Sequence, residues 1–387
     1  MKIKYEKFLE KICFGFFALF FCFNFIDRHI ANIFLLLTLV SCLIDFKNLK
    51  KTFTIHYKLI LSIIIFSLYI TGMGYYHSSP LHELDNYYRF LLLLPILLIT
   101  LNESRLIKLL GISAISALLS AIFFLMYNEN YYRYSGTSSS ALTFAYMCGT
   151  LFILCAYYIL YQKKKSYILW IASGIFLLIY LMTGSRGPII GIIFGLMYLL
   201  YERFKCSKGN IQDSKALMSL SLIILVIFFT SNPVSNRLDR ISEINISNPM
   251  EIEESSLRER FFYLSFGVKE IKNNFWTGIG PENIEKKMSQ HLKEQKIKHI
   301  TPRDHLHNGI LDIVSKFGIL SLLLLFNVYY FLIRTNKADK RVLLVTLIIM
   351  LISSQLFQSQ FAHHQAISFF ITLLFALQNY NNNFDKH

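Results

Sequence analysis

The sequence predicts an all-α polytopic membrane protein of about 12 transmembrane helices, with a mostly helical loop domain on one side of the bilayer. Three observations carry that reading. Mean hydropathy over the 387 residues is +0.45. Charged residues make up only 16% of the chain, where soluble domains carry about a quarter. Apolar runs close to the roughly 20 residues that span a bilayer recur along its length.

In chain order the runs lie near 12–26, 29–46, 58–76, 88–101, 106–126, 139–161, 167–184, 188–201, 216–231, 309–333, 342–360 and 365–379. The first has no small-residue cleavage site before the second begins, so it reads as an uncleaved span. Residues 1–231 then form an N-terminal bundle of about nine helices, 232–308 the loop domain, and 309–387 about three more helices and a tail. Lys and Arg collect on the cytoplasmic side of membrane proteins. With the N-terminus inside, nearly all of the formal net charge of +15 falls in the cytoplasmic loops, in short stretches such as Lys163-Lys164-Lys165. The tail is then cytoplasmic and 232–308 lies outside. No basic domain gathers the charge, which excludes nucleic acid as its partner.

In the outer segment, Ser256 to Ile271 reads as a helix. Leu257, Phe261, Leu264, Val268 and Ile271 recur at helical spacing and are expected to form its apolar stripe. Asn273-Asn274 and Gly278-Ile279-Gly280-Pro281 end it, and Pro281-Glu282 opens a second, polar helix to about Lys298. Five cysteines lie in apolar runs and Cys206 in a cytoplasmic loop, so no disulfide framework is expected. No Cys-His cluster has zinc spacing and no Asp-x-Asp cluster occurs, so neither a metal nor a cofactor is expected.

His307-Asn308 stands where the loop meets the run at 309–333, and Gly318 follows after nine residues. A neutral imidazole is a natural proton acceptor. His305, His363, His364, His77 and His82 compete for that role, and a His at a membrane edge also serves as a plain polar residue. Asp304 and Asp312 are near enough in sequence to orient His307 through its second ring nitrogen. Arginines mark the outer ends of spans and the head of the loop helix: Arg89, Arg133, Arg186, Arg258 and Arg260. A guanidinium there binds phosphate oxygens bidentately, or snorkels to lipid headgroups. Arg186 sits in Thr183-Gly184-Ser185-Arg186-Gly187-Pro188, where backbone amides between glycines can also approach an anion. No Gly-x-Ser-x-Gly elbow and no Walker sequence is present.

These stretches, in this order, resemble the bacterial O-antigen ligases and, more broadly, the O-antigen ligase and polymerase superfamily. Thr183-Gly184-Ser185-Arg186-Gly187 is similar to the family's short outer turn. Ser256-Leu257-Arg258-Glu259-Arg260, with the helix and Gly278-Ile279-Gly280 after it, resembles the soluble-loop motif. Its arginine maps to Arg260, with Arg258 as the near alternative. His307-Asn308-x9-Gly318 is similar to the family's signature of His, then Asn, Ser or Gln, nine residues and Gly. The likeness covers about 180–335, and upstream it extends only to topology and the Arg133 loop. Ser321 stands where relatives often carry Thr.

The resemblance implies a C-type glycosyltransferase of the bacterial inner membrane, with a periplasmic loop domain and active site. It implies an inverting, metal-independent transfer of glycan from undecaprenyl diphosphate to lipid A-core. The implied partners are the undecaprenyl-diphosphate-linked glycan donor, the lipid A-core acceptor and membrane lipids. His307 is then the catalytic base. Arg186 and Arg260, with Arg258, Arg89 and Arg133 as further candidates, hold the diphosphate, and Asn308, Asp304 and Gly318 support the site. An O-antigen or capsule polymerase shares donor and fold, and a third relative passes glycan to protein. A flippase or transporter is the reading from another class. It would favour charges within the spans, whereas most charges here lie at span ends.

Overall fold

The computed structural model describes residues 2–44, 46–127, 140–161, 166–185, 187–206, 255–297, 299–334, 338–356 and 358–380. Among the described residues every regular element is helical. The helices are α1 Lys2–Phe23, α2 Arg28–Ile44, α3 Phe46–Ile55, α4 Tyr57–Tyr76, α5 Asp85–Leu92, α6 Glu103–Tyr127, α7 Ala141–Tyr161, α8 Tyr167–Met182 and α9 Gly187–Cys206. After the loop begins come α10 Ser255–Asn273, α11 Pro281–Glu294, α12 Gly309–Phe317, α13 Ile319–Ile333, α14 Ala338–Gln355 and α15 His364–Gln378. Of these, α4, α6, α7 and α9 are long and apolar enough to cross a membrane. The bent pair α2–α3 adds a fifth if counted as one span, and α8, α13 and α15 are apolar but shorter. The chain is a helical membrane protein, and the described residues do not show twelve continuous spans. The expected span at 216–231 lies outside them.

Three expected spans are shorter or broken. The run at 88–101 is α5 followed by a 3₁₀ turn, Leu94–Leu98, with Pro95 at its start. Proline lacks the N–H that would continue the helix. The run at 342–360 ends as a helix at Gln355, where a polar stretch begins. The run at 309–333 is two helices that meet at Gly318.

The bundle packs around α7, which is buried from Thr143 to Tyr158. Helix α8 and helix α9 both lie against α7, α9 also packs on α14, α1 on α2, and α4 on α13. Where α9 meets α14, a Cβ on Gly191 would stand 2.7 Å from the Met350 carbonyl oxygen. A small residue here lets the two backbones touch, as in membrane helix pairs generally.

The loop carries a small core of its own. Phe262, Tyr263 and Phe266 of α10 pack with Ile284, Met288 and Leu292 of α11 and with Leu306. The stripe expected on α10 is thus the wrong face. Leu264 and Val268 are exposed, and Ile271 touches the bundle core instead. Both faces repeat at helical spacing, so periodicity alone does not choose between them. The aromatic face buries more area and wins.

Backbone pairing seats this loop on the bundle. Ile279 N–H donates to Ser315 O at 2.8 Å, Gly280 N–H to Lys316 O at 2.9 Å, and Ile319 N–H to Phe275 O at 2.9 Å. The Tyr69 hydroxyl of α4 donates to Phe317 O at 2.7 Å. These bonds use carbonyls and an amide that the helix break releases. Gly318 has φ +79° and Gly278 φ +66°. A Cβ at Gly318 would overlap the Trp276 carbonyl, and one at Gly278 would meet the Lys316 backbone.

Gly318→Ala should therefore destabilise the fold. The left-handed backbone costs an L-residue about 1–2 kcal/mol, and the overlap with Trp276 adds to it. Thermal unfolding in detergent should show a lower midpoint and a reduced folded yield. Gly72→Ala, where a Cβ meets nothing within 4 Å, is the control. Equal midpoints for Gly318→Ala and wild type would dismiss the junction as a structural requirement.

Candidate active site

His307 is held from both sides in the chain. Before it, Leu306 is buried in the loop core, and its N–H donates to Asp312 Oδ1 at 3.1 Å. Asp312 is fully buried and also meets Lys316 Nζ and the Ser359 hydroxyl, each at 3.0 Å from Oδ2. After it, Asn308 caps α12, its Oδ1 accepting from Ile310 N–H at 3.1 Å and Leu311 N–H at 3.0 Å. The Asn308 amide also donates to Leu356 O at 3.1 Å, tying the cap to the end of α14. Between these two anchors His307 adopts φ +53°, a left-handed conformation uncommon outside glycine.

The ring of His307 lies among three loops. Its Nδ1 is 3.0 Å from Gln358 Oε1, and Gln358 Nε2 is 2.7 Å from His363 Nε2. The His305 ring stands edge-on at 4.5 Å between centroids, and the Tyr263 ring lies at 5.4 Å. Tyr263 is fixed by its hydroxyl bond to Thr301 O at 2.8 Å. Burial pushes the pKa of His307 down to about 4. The charges of His305, Arg260 and Arg303 act in the same direction, against the hydrogen bond to Gln358 Oε1. Burial also lowers His363 to about 4. Both imidazoles are neutral at pH 7.

Asp304 and Asp312 do not orient His307. Asp304 is exposed and pairs with His305 Nδ1 at 2.7 Å, which holds its carboxyl well below the usual carboxylate range. Asp312 is consumed by Leu306, Lys316 and Ser359, and so acts on the backbone before His307 rather than on its ring. Gln358 takes the place expected of a carboxylate. Sequence reading missed it because it was counted inside the apolar run 342–360. The polar stretch Ser353-Ser354-Gln355, then Gln358-Ser359-Gln360, is the signal that marks it. Arg303 and Tyr263 were missed as well. Proximity in the fold reveals them, and no motif does.

The arginines separate. Arg260 is exposed on α10, and its charge is among those that depress His307. Arg258 has a buried Nε without a hydrogen-bond partner among the described residues. Positions two apart on a helix point in different directions, so the two do not share a face. Arg89 is a clasp between α5 and α15. It bonds Asp85 Oδ2 at 2.9 Å, the Ser368 hydroxyl, and His364 Nδ1 at 3.3 Å. Arg133 and Arg186 lie outside the described residues. The turn before Arg186 is held by the Tyr180 hydroxyl, which donates to Ser185 O at 2.8 Å. Gly318 lies at the junction between α12 and α13, below the His307 end of α12.

Residues 171–326 match the family model described as O-antigen ligase. Over this region, about two fifths of the chain, the sequence is similar to the O-antigen ligase family. The match starts inside α8 and ends inside α13, so it takes in Arg186, Arg260, His307, Asn308 and Gly318. Gln358, His363 and Arg89 fall outside it. No curated protein matches the chain. Among the described residues, no group of three or more His, Cys, Asp or Glu could hold a metal ion.

The backbone of His307 makes a stability prediction. His307→Gly should unfold at a higher temperature than His307→Ala, because only glycine takes φ +53° without the αL cost of about 1–2 kcal/mol. Asn308→Ala should lose about 1 kcal/mol with its cap. If His307→Ala is the more stable of the two, the left-handed geometry at 307 is wrong.

Proposed function

We propose that this protein is an inverting, metal-independent O-antigen ligase of the bacterial inner membrane. It transfers a glycan from undecaprenyl diphosphate to a sugar hydroxyl of lipid A-core, with the loop and the site on the periplasmic side. One observation carries the reading. His307 is a half-buried, neutral imidazole held by Gln358 at 3.0 Å and within the electrostatic reach of Arg260 and Arg303, in a region that matches the O-antigen ligase family.

The chemistry follows from the residues. The acceptor hydroxyl oxygen bonds to the donor's anomeric carbon while the bond from that carbon to the diphosphate breaks. Attack opposite the leaving group inverts the centre. The hydroxyl proton goes to the imidazole of His307, which later releases it to water. The electron pair leaves with the diphosphate, already a good leaving group, so no acid is required. Positive charge from Arg186 and Arg260 offsets the charge that develops there. Asp304 lines an open cleft with Glu282, Glu285, Ser289 and Gln290, side chains suited to sugar hydroxyls.

A strain lacking this chain tests the function. Its lipopolysaccharide should lose all ligated O-antigen while lipid-linked polymer accumulates. A core that carries a single repeat unit would identify a polymerase instead. In purified protein, His307→Ala should cut transfer by about 10²–10⁴ while donor binding survives. Arg186→Lys should recover activity only partly, since an ammonium cannot make the planar bidentate contact. EDTA should have no effect.

The pH dependence has a definite sign. The base works when neutral, so kcat/KM, which reports the free enzyme, should hold from pH 7 down to about 5 and fall through the His307 pKa of about 4. Folded His307 and His363 bind protons more weakly than the same side chains unfolded, whose pKa is near 6.5. Stability therefore also falls as pH drops from about 6.5 towards 4, so the profile is measured on protein confirmed as folded. A kcat/KM midpoint near 6.5 in folded enzyme would contradict a buried base.

A further inference from the structure

We propose that Gln358, on the turn between α14 and α15, is a positioning residue that keeps His307 in the tautomer with an unprotonated Nε2. The proposal rests on the reading of His307 as the base. Gln358 is 6% exposed, so its amide depends on protein partners rather than solvent. Two imidazoles supply them, His307 at 3.0 Å and His363 at 2.7 Å.

A carboxamide has one accepting end and one donating end, and this fixes protons on both rings. With Oε1 towards His307, Nδ1 of that ring must carry the proton and donate. The lone pair is then on Nε2, where a hydroxyl proton can be taken. With the Gln358 amide N–H towards His363, Nε2 of His363 must be the acceptor, so its own proton sits on Nδ1. Turning the amide over reverses both assignments. His307 Nδ1 would then accept, Nε2 would hold the proton, and the base would be lost. The two histidines are thus coupled through Gln358, and the arrangement in the structure is the competent one.

The coupling also explains an amide at a place where a carboxylate is the usual partner of a catalytic histidine. A carboxylate would hold Nδ1–H equally well. It would also bring a negative charge beside His307, favouring the imidazolium, and beside His363. The charged and titratable groups around this pair are His305, Asp304, His364, Arg260 and Arg303, and Gln358 adds no charge to them.

The test has a spectroscopic arm that does not depend on the reaction. Protein labelled with ¹⁵N-histidine at pH 7, with His307 assigned by comparison with His307→Ala, should show a protonated Nδ1 and a bare Nε2. Gln358→Met, similar in size but without the amide, should show a mixture of tautomers. In transfer assays Gln358→Met should lower kcat at least tenfold with KM for the lipid-linked donor unchanged. Gln358→Glu should recover most of kcat and move the acid limb of the pH profile up by at least one unit. A bare Nδ1 in wild type, or wild-type kcat in folded Gln358→Met, would overturn the positioning role. The base reading fails separately, if His307→Ala remains active. An inactive His307→Ala beside a fully active Gln358→Met sinks only the role of Gln358.

Discussion

The site depends on a backbone junction, the seam where Phe275 to Gly280 lies along the break between α12 and α13. Three main-chain hydrogen bonds cross it, and three glycines at its edges, Gly278, Gly280 and Gly318, have positive φ. Two of them leave no room for a Cβ against the facing backbone, Gly278 and Gly318. Two motifs that look separate in sequence, Gly-Ile-Gly in the loop and the Gly that follows His-Asn-x9, are therefore two sides of one contact. The nine-residue spacing has a physical meaning too. It is the length of α12, from its Asn308 cap to the glycine that ends it.

From that seam the order propagates upward through α12. Lys316 offers its carbonyl to the loop and its ammonium to Asp312. Asp312, one turn earlier, holds Ser359 and the Leu306 amide. Leu306 in turn is fixed in the loop core. His307 is thus caught between an element that belongs to the loop and a cap that belongs to the bundle. Its left-handed backbone is the geometric consequence. Strain of this kind persists where the surroundings over-determine a residue, and it gathers at functional sites.

Sequence reading recovered the helical class, the loop helices near 255 and 281, and the stretch that proved to match the O-antigen ligase family. These rest on composition and on breakers such as Gly278-Ile279-Gly280-Pro281, which are local signals. What it missed is non-local. The buried face of α10 depends on what α11 and Leu306 present to it, and both faces of that helix are apolar. The partner of the His307 ring comes from 51 residues away, so no spacing rule reaches it. Counting apolar residues also smoothed over Gly318 and Pro95, where one residue breaks a run that hydropathy treats as continuous.

The electrostatics of the proposed site resolve an apparent conflict. A base with a pKa near 4 is weak, and general bases work best when their pKa lies near the working pH. Yet part of the depression of His307 comes from Arg260 and Arg303, charges that suit a diphosphate. In the proposed reaction an anionic donor bound beside them offsets their positive field. The imidazole then becomes more basic than it is in the empty site. Burial still opposes protonation, so His307 stays neutral until the donor is in place and the acceptor hydroxyl loses its proton. The same guanidinium groups would thus keep the base uncharged before binding and hold the leaving group during transfer. The neutral Gln358 fits this arrangement better than a carboxylate, because it orients the ring and leaves the field to be set by the donor.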